Sequence, residues 1–173
     1  MNKVASTLKA VGVPCVVTGG VAVIFYTFPR ITYDVDFLVP KLSGTEERRV
    51  LSELFKSGFK HTVFMRREKV FRLQDKHGYI IDLITGLTDE ILKRSLRHKE
   101  TGLRVISPED LIIQKLLSWR LKDRADIVAI ISAKREKLDL GYLSKKARKI
   151  KKEELLKSML KKIGREKYRS AAE

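Results

Sequence analysis

Residues Gly19 to Val39 read Gly-Gly-Val-Ala-Val-Ile-Phe-Tyr-Thr-Phe-Pro-Arg-Ile-Thr-Tyr-Asp-Val-Asp-Phe-Leu-Val. A glycine pair is followed, thirteen residues later, by two carboxylates one residue apart. Side chains at i and i+2 of a strand share a face, so Asp34 and Asp36 project together while Val35 and Phe37 pack behind them. Two acids held side by side repel each other unless a cation sits between them. Hard divalent ions such as Mg2+ take oxygen ligands and need few protein carboxylates when substrate phosphates supply the rest.

Working outward, the flanking pattern predicts a helix over Asn2 to Ala10 and a buried strand over Pro14 to Val17. A glycine turn, a buried helix over Val21 to Phe28 and a strand over Tyr33 to Val39, closed by Pro40, follow. The uncharged run from Ala10 to Pro29 barely reaches the roughly 20 apolar residues of a membrane span, and Pro14 and the glycine pair break it. With no targeting segment in view, the expectation is a cytoplasmic protein that does not engage a membrane. A further helix from Thr45 to Gly58 carries Val50, Leu51, Leu54 and Phe55 on one side. Strand-like runs cover His61 to Met65, Val70 to Leu73 and Tyr79 to Ile84, with Asp75-Lys76-His77-Gly78 as the turn between the last two. This order predicts an α/β (α+β) fold, a mixed sheet with helices on one face.

Asp82 lies inside the apolar run Tyr79-Ile80-Ile81-Asp82-Leu83-Ile84, where an acid is costly to bury without a partner. It is either a turn-proximal acid at a strand's solvent edge or the third member of the carboxylate group.

The Gly19-Gly20-x13-Asp34-Val35-Asp36 spacing resembles the signature of the nucleotidyltransferase superfamily that includes DNA polymerase β. Within it, Arg30-Ile31-Thr32-Tyr33-Asp34-Val35-Asp36 looks most like the AbiEii-type and MenA-type nucleotidyltransferase toxins and their relatives. The resemblance spans about Val13 to Ile130 and implies a minimal nucleotidyltransferase core. It implies Asp34, Asp36 and Asp82 as ligands of Mg2+ (or Mn2+), with Asp82 also drawing the proton from the attacking hydroxyl. Gly19, Gly20, Arg30 and Thr32 are implied at the nucleotide. Many superfamily members have serine after the first glycine; Gly20 follows the toxin branch.

Ser107-Pro108-Glu109-Asp110 opens a helix, with serine as N-cap and proline at the first helical position. Lys115 on that helix fits a lysine that the toxin relatives place against nucleotide phosphates; on composition alone it is a snorkelling lysine among Leu and Ile. Lys122-Asp123-Arg124-Ala125-Asp126-Ile127 resembles a family helix start whose acids position basic residues, implying supporting roles for Asp123 and Asp126. Without the resemblance they are acids favoured by a helix N-terminus.

The chain of 173 residues carries a net charge of +16, which favours phosphate-rich partners. A thermophilic source is a second reading of the Lys- and Arg-rich composition, given one Asn, two Gln and one Cys. Cys15, in an apolar run, reads as a buried, inert thiol. The three histidines lack the spacing of a zinc site, and nothing pairs a Ser or Cys nucleophile with a His base. Arg66, Arg67, Lys69 and Arg72 read either as a basic rim or as charges that deter edge pairing. From Lys134 onward 15 Lys/Arg stand against six Asp/Glu, +9 of the total, on two amphipathic helices broken near Gly141 and Lys151. Their basic faces suit a nucleic acid backbone or simple solvation.

The expected organisation is a core over 1–106 and a helical segment over 107–173 packed on it, frayed or disordered from about Arg165. The expected activity is transfer of an NMP from an NTP to an acceptor hydroxyl, with RNA, such as the 3′ end of tRNA, as acceptor and a cognate antitoxin as partner. Two alternatives are a small-molecule acceptor of the aminoglycoside type and a non-catalytic module that binds nucleic acid or protein.

Overall fold

The computed structural model describes residues 1–65 and 70–170, with side chains at 1–60 and 70–163. Arg66, Arg67 and Lys69 lie outside the described residues. Two compact units emerge, one of Met1–Ile24 with Pro29–Ser107 and one of Phe25–Phe28 with Pro108–Glu173.

The first unit is built on α1 (Asn2–Ala10), β1 (Val16–Thr18), the start of α2 (Gly19–Tyr26), β2 (Asp34–Val39), α3 (Gly44–Lys56), β3 (Lys60–Met65), β4 (Val70–Gln74), β5 (Ile80–Thr85), α4 (Asp89–Arg94), β6 (Leu96–Arg97) and β7 (Arg104–Val105). Seven strands among the described residues form one mixed sheet in the order β3-β4-β5-β2-β1-β7-β6. Central β2 runs parallel to β5 and antiparallel to β1, and β4 lies antiparallel between β3 and β5.

One face of the sheet is apolar because alternate residues of β2, β4 and β5 are. Val39, Phe71 and Leu83 meet Val50 and Leu51 of α3 around a space of only about 10 Å3. Phe37, Leu54, Leu73 and Leu83 are buried to 1% exposure or less. Since neighbours along a strand alternate faces, Asp36 and Asp82 must point away from α3. The helix itself starts at Gly44, one residue before the expected Thr45, with Ser43 as its N-cap. Ser43 Oγ accepts from the Glu46 amide and Glu46 Oε2 accepts from the Ser43 amide, a capping box that satisfies two otherwise orphaned donors. These bonds to Ser43 hold the Glu46 carboxyl below its ordinary value.

The second unit comprises α5 (Pro108–Ser118), α6 (Leu121–Lys134), a 3-10 turn at Arg135–Lys137, α7 (Leu140–Lys149) and α8 (Glu153–Ser170). Its core holds Leu111, Ile112, Leu116, Ile127, Ile130, Ile131, Leu143, Ala147 and Leu156. The expected break near Lys151 falls there, with φ +57° at that residue, whereas Gly141 lies inside α7 and Asp139 caps that helix by accepting from the Tyr142 amide. The helix α8 is described through Ser170, and residues 171–173 lie outside the described residues. Among the described residues no helix is long and apolar enough to cross a membrane.

Candidate active site

The strand register assembles a row of polar side chains across four neighbouring strands. Arg72 of β4 pairs with Asp82 of β5, Asp82 with Asp36 of β2, and Asp36 with Thr18 of β1. Directly paired residues share a face, so the row sits on the side opposite α3, and Asp34 joins it two residues along β2. Each of Asp34, Asp36 and Asp82 offers one carboxylate oxygen to a group in which all lie within 4.8 Å of one another. Asp82 is buried, and the other two are half-buried.

Arg72 grips Asp82 with both arms of its guanidinium. Its Nε donates to Oδ1 at 2.8 Å and its Nη2 to Oδ2 at 2.6 Å. The hydrogen bond to Asp82, helped by the charges of Asp82, Asp34 and Asp36, raises the Arg72 pKa despite partial burial. The sequence reading placed Arg72 on a basic rim or a protected edge. The edge reading is overturned, since β4 lies between β3 and β5; Arg72 answers the charge of one carboxylate of the three.

The glycine pair is explained by close approach. Gly19 has φ +62°, and a Cβ there would lie 1.6 Å from Asp36 Oδ2. A Cβ on Gly20 would meet Thr32 Oγ1 at 2.7 Å and Arg30 Nη2 at 3.3 Å. Thr32 Oγ1 in turn donates to Asp34 Oδ1 at 3.1 Å. Thus the start of α2, Arg30, Thr32 and the first two acids are pressed together.

This tight fit yields a graded expectation. Gly19→Ala forces a left-handed backbone costing about 1–2 kcal/mol and displaces Asp36. Gly20→Ala keeps an ordinary backbone and its tightest contact is the Thr32 hydroxyl at 2.7 Å, so thermal unfolding should show a clearly larger loss for the Gly19 variant than for the Gly20 variant.

The donor set fits a hard divalent ion. Three carboxylates with oxygen separations below 4.8 Å suit one cation or a pair about 3.5–4 Å apart, and an all-oxygen set favours Mg2+ or Mn2+ over softer metals.

The second unit holds its own charged cluster. The buried Lys115 ammonium lies 2.6 Å from Asp126 Oδ2 and 3.3 Å from Asp123 Oδ1. Asp123 also accepts from Ser118 Oγ at 2.8 Å and from the Arg120 amide and Nε at 3.1 and 2.8 Å. Burial alone would push the Asp123 carboxyl up. The bonds from Arg120 and Ser118 and the Lys115 charge overcome that and hold it well below the usual carboxylate range. The turn between α5 and α6 passes through Trp119 in the left-handed region, φ +47°, with the Arg124 guanidinium 4.7 Å from its ring centre. Elsewhere in the chain, burial pushes the Cys15 thiol up to about 11, in keeping with an inert role.

The site residues from the sequence therefore fall into two groups. Asp34, Asp36, Asp82, Gly19, Gly20, Arg30 and Thr32 gather in the first unit, and Lys115, Asp123 and Asp126 gather in the second. Arg72 was missed as a site residue because its role depends on which residue faces it across β4 and β5.

No curated protein matches the sequence. Among solved structures, ANT(2")-Ia in complex with adenylyl-2"-tobramycin is similar at TM-score 0.56 and 14% identity, over 75% of this chain and 84% of that one. An antigenic nucleotidyltransferase-like protein from Paracoccidioides brasiliensis is similar at TM-score 0.53 and 19% identity, over 92% and 89% of the two chains. The lincosamide antibiotic adenylyltransferase LnuA, lincomycin-bound, is similar at TM-score 0.53 and 16% identity, over 74% and 92%. At these identities the likeness shows a shared fold. A family model described as "Nucleotidyltransferase of unknown function (DUF6036)" matches residues 1–171, and with nearly the whole chain covered, this protein belongs to that nucleotidyltransferase family.

Proposed function

We propose that the protein moves a nucleoside monophosphate from an NTP to the terminal hydroxyl of an RNA, with Mg2+ or Mn2+ at Asp34, Asp36 and Asp82. The observation that carries this reading is the in-register carboxylate group beside the glycine-opened N-terminus of α2. The acceptor oxygen bonds to the α-phosphorus, the bond from that phosphorus to the bridging oxygen breaks, and pyrophosphate leaves. Bound divalent ions supply charge neutralisation of the triphosphate and of the attacking and leaving oxygens.

The chain's own residues do the rest. Gly19 and Gly20 let backbone amides at a helix N-terminus approach the triphosphate, where anions are favoured. Asp82 takes the hydroxyl proton, and Arg72 fixes the orientation of that carboxylate. Thr32 steadies Asp34 through its hydrogen bond, and Arg30 lies against Gly20 as a cation for phosphate. Lys115 belongs to the second unit, where its ammonium is held by Asp126 and Asp123.

The charge of +16 favours RNA as acceptor over a cationic aminoglycoside. The rival acceptor is a small hydroxylated molecule, the class represented by the tobramycin adduct of ANT(2")-Ia. Incubation with Mg2+, each α-labelled NTP in turn and either total RNA or an aminoglycoside panel tests the choice. Label on RNA supports the proposal; label only on the small molecules overturns its acceptor, and no label on either overturns the reaction. The toxin-like version adds the tRNA 3′ end as target and a cognate antitoxin as partner.

If the acceptor is RNA, the basic face of α7 is a candidate for its backbone. Arg148 is committed to Glu153 at 2.7 Å, while Lys145 and Lys149 are exposed and Lys146 and Lys152 half-buried. Each phosphate contact on a single strand contributes about 0.7 to the salt slope of log K. Replacing Lys145, Lys146, Lys149 and Lys152 with Gln should therefore flatten the slope by roughly 3 units and weaken RNA binding. An unchanged slope would assign these lysines to solvation.

A further inference from the structure

We infer that Tyr33 and Tyr79 form a stacking platform for the unpaired terminal bases of a single-stranded RNA acceptor. The inference rests on the reading of the carboxylate group as a transfer site with an RNA acceptor, and names where that acceptor's end is seated.

Asp34 and Ile80 are partners at the start of the parallel β2–β5 pair, and Tyr33 and Tyr79 are the residues that lead into these two neighbouring strands. Parallel neighbours run about 4.8 Å apart. Both aromatic side chains are left to solvent, Tyr33 84% and Tyr79 67% exposed. Two large aromatics placed side by side and uncovered contribute little to the core, and they match what bases need, since every base has a π-face and stacks on aromatic side chains with little sequence preference.

The surroundings point the same way. Both tyrosines line a cleft of about 550 Å3 together with Lys3, Lys76, His77 and Asp34, within the ~300–1,000 Å3 range of small-ligand sites. Lys3 and Lys76 are exposed cations suited to phosphates of the acceptor backbone. The second acid of the cleft, Asp75, is taken up in holding the turn. Its Oδ1 accepts from the amides of His77 and Tyr79, both at 2.9 Å, and its own amide donates to the Tyr79 carbonyl at 3.0 Å. The turn that presents Tyr79 is therefore braced from within. Asp34 is shared between this cleft and the carboxylate group. Tyr33 immediately precedes Asp34, the first residue of β2. A duplex buries its base faces, so an unpaired end is the form that fits.

The test uses the full chain and a short single-stranded oligoribonucleotide ending in 2-aminopurine, titrated in EDTA so that binding is read without metal, NTP or transfer. Stacking should quench the fluorophore in the wild-type protein. The Y33A/Y79A pair should lose the quenching and bind about tenfold or more weakly, while Y33F/Y79F keeps both. A Y33L/Y79L pair, which retains bulk without a π-face, should behave like the alanine pair and serves if the latter does not fold. A blunt duplex of the same sequence should bind without quenching. Absence of quenching in the wild type, or equal affinity and quenching in the leucine pair, overturns the inference whatever the transfer assay shows. Quenching by a protein that binds no Mg2+–NTP leaves the platform standing and removes the transfer reading instead.

Discussion

Asp36→Asn should abolish most of the Mg2+-dependent affinity for NTP and lower the transfer rate by about a thousandfold. Asp36 is the centre of the polar row, paired with Asp82 on one side and Thr18 on the other, and its carboxylate occupies the space where a Cβ on residue 19 would be, which Gly19 leaves open. Replacing one carboxylate oxygen by an amide removes a formal charge and a ligand while leaving the strand's shape nearly unchanged. Metal stabilisation of developing charge is worth several kcal/mol, and each 1.36 kcal/mol is tenfold in rate. Equilibrium NTP binding with Mg2+ and with chelator, in wild type and variant, checks the first half. Equal affinity in all four conditions would contradict metal-assisted binding.

The second large effect lies in the second unit and reads out as stability. Lys115→Ala should destabilise folding by about 3–5 kcal/mol, because Asp126 and Asp123 stay buried without the ammonium 2.6 and 3.3 Å away. Asp123 keeps its bonds from Arg120 and Ser118, which limits its share of the loss. Lys157→Ala removes helix ion pairs from an exposed ammonium to Glu154 at 2.8 Å and Glu153 at 3.5 Å and should give a far smaller shift, as pairs at the surface are screened and entropically costly. Urea midpoints of the two variants provide the comparison. A Lys115 variant as stable as the Lys157 variant would mean that the buried pair is already hydrated or rearranged.

What could be read from the sequence follows from how local the cause is. Asp34 and Asp36 share a face by strand alternation, and the capping and glycine signals around α3 and α5 are local too, so the elements near them were legible within one or two residues. Asp82 was legible as an anomaly, an acid inside an apolar run. That it stands directly across from Asp36 depends on the β2–β5 register, which no local signal carries. Arg72 shows the same limit: a charged residue on a strand looks alike at an edge and beside an acid until its partner strand is known. The strands β6 and β7 have two residues each, too short for alternation to register. The clash that makes Gly19 obligatory is likewise a tertiary fact, although the glycine pair itself pointed to it. Tyr33 and Tyr79 lie 46 positions apart in sequence and become neighbours only through the parallel pairing.

The proposed meeting place of the metal and the triphosphate is the group of three carboxylates, Asp34, Asp36 and Asp82. Crystals grown with Mn2+ and a non-hydrolysable NTP analogue, with the manganese located by its anomalous scattering, test it most directly. Manganese should be found at Asp34, Asp36 and Asp82, with the triphosphate at the start of α2. Manganese or nucleotide bound elsewhere, with Asp34 and Asp36 bearing neither and Asp82 still engaged only with Arg72, would contradict it.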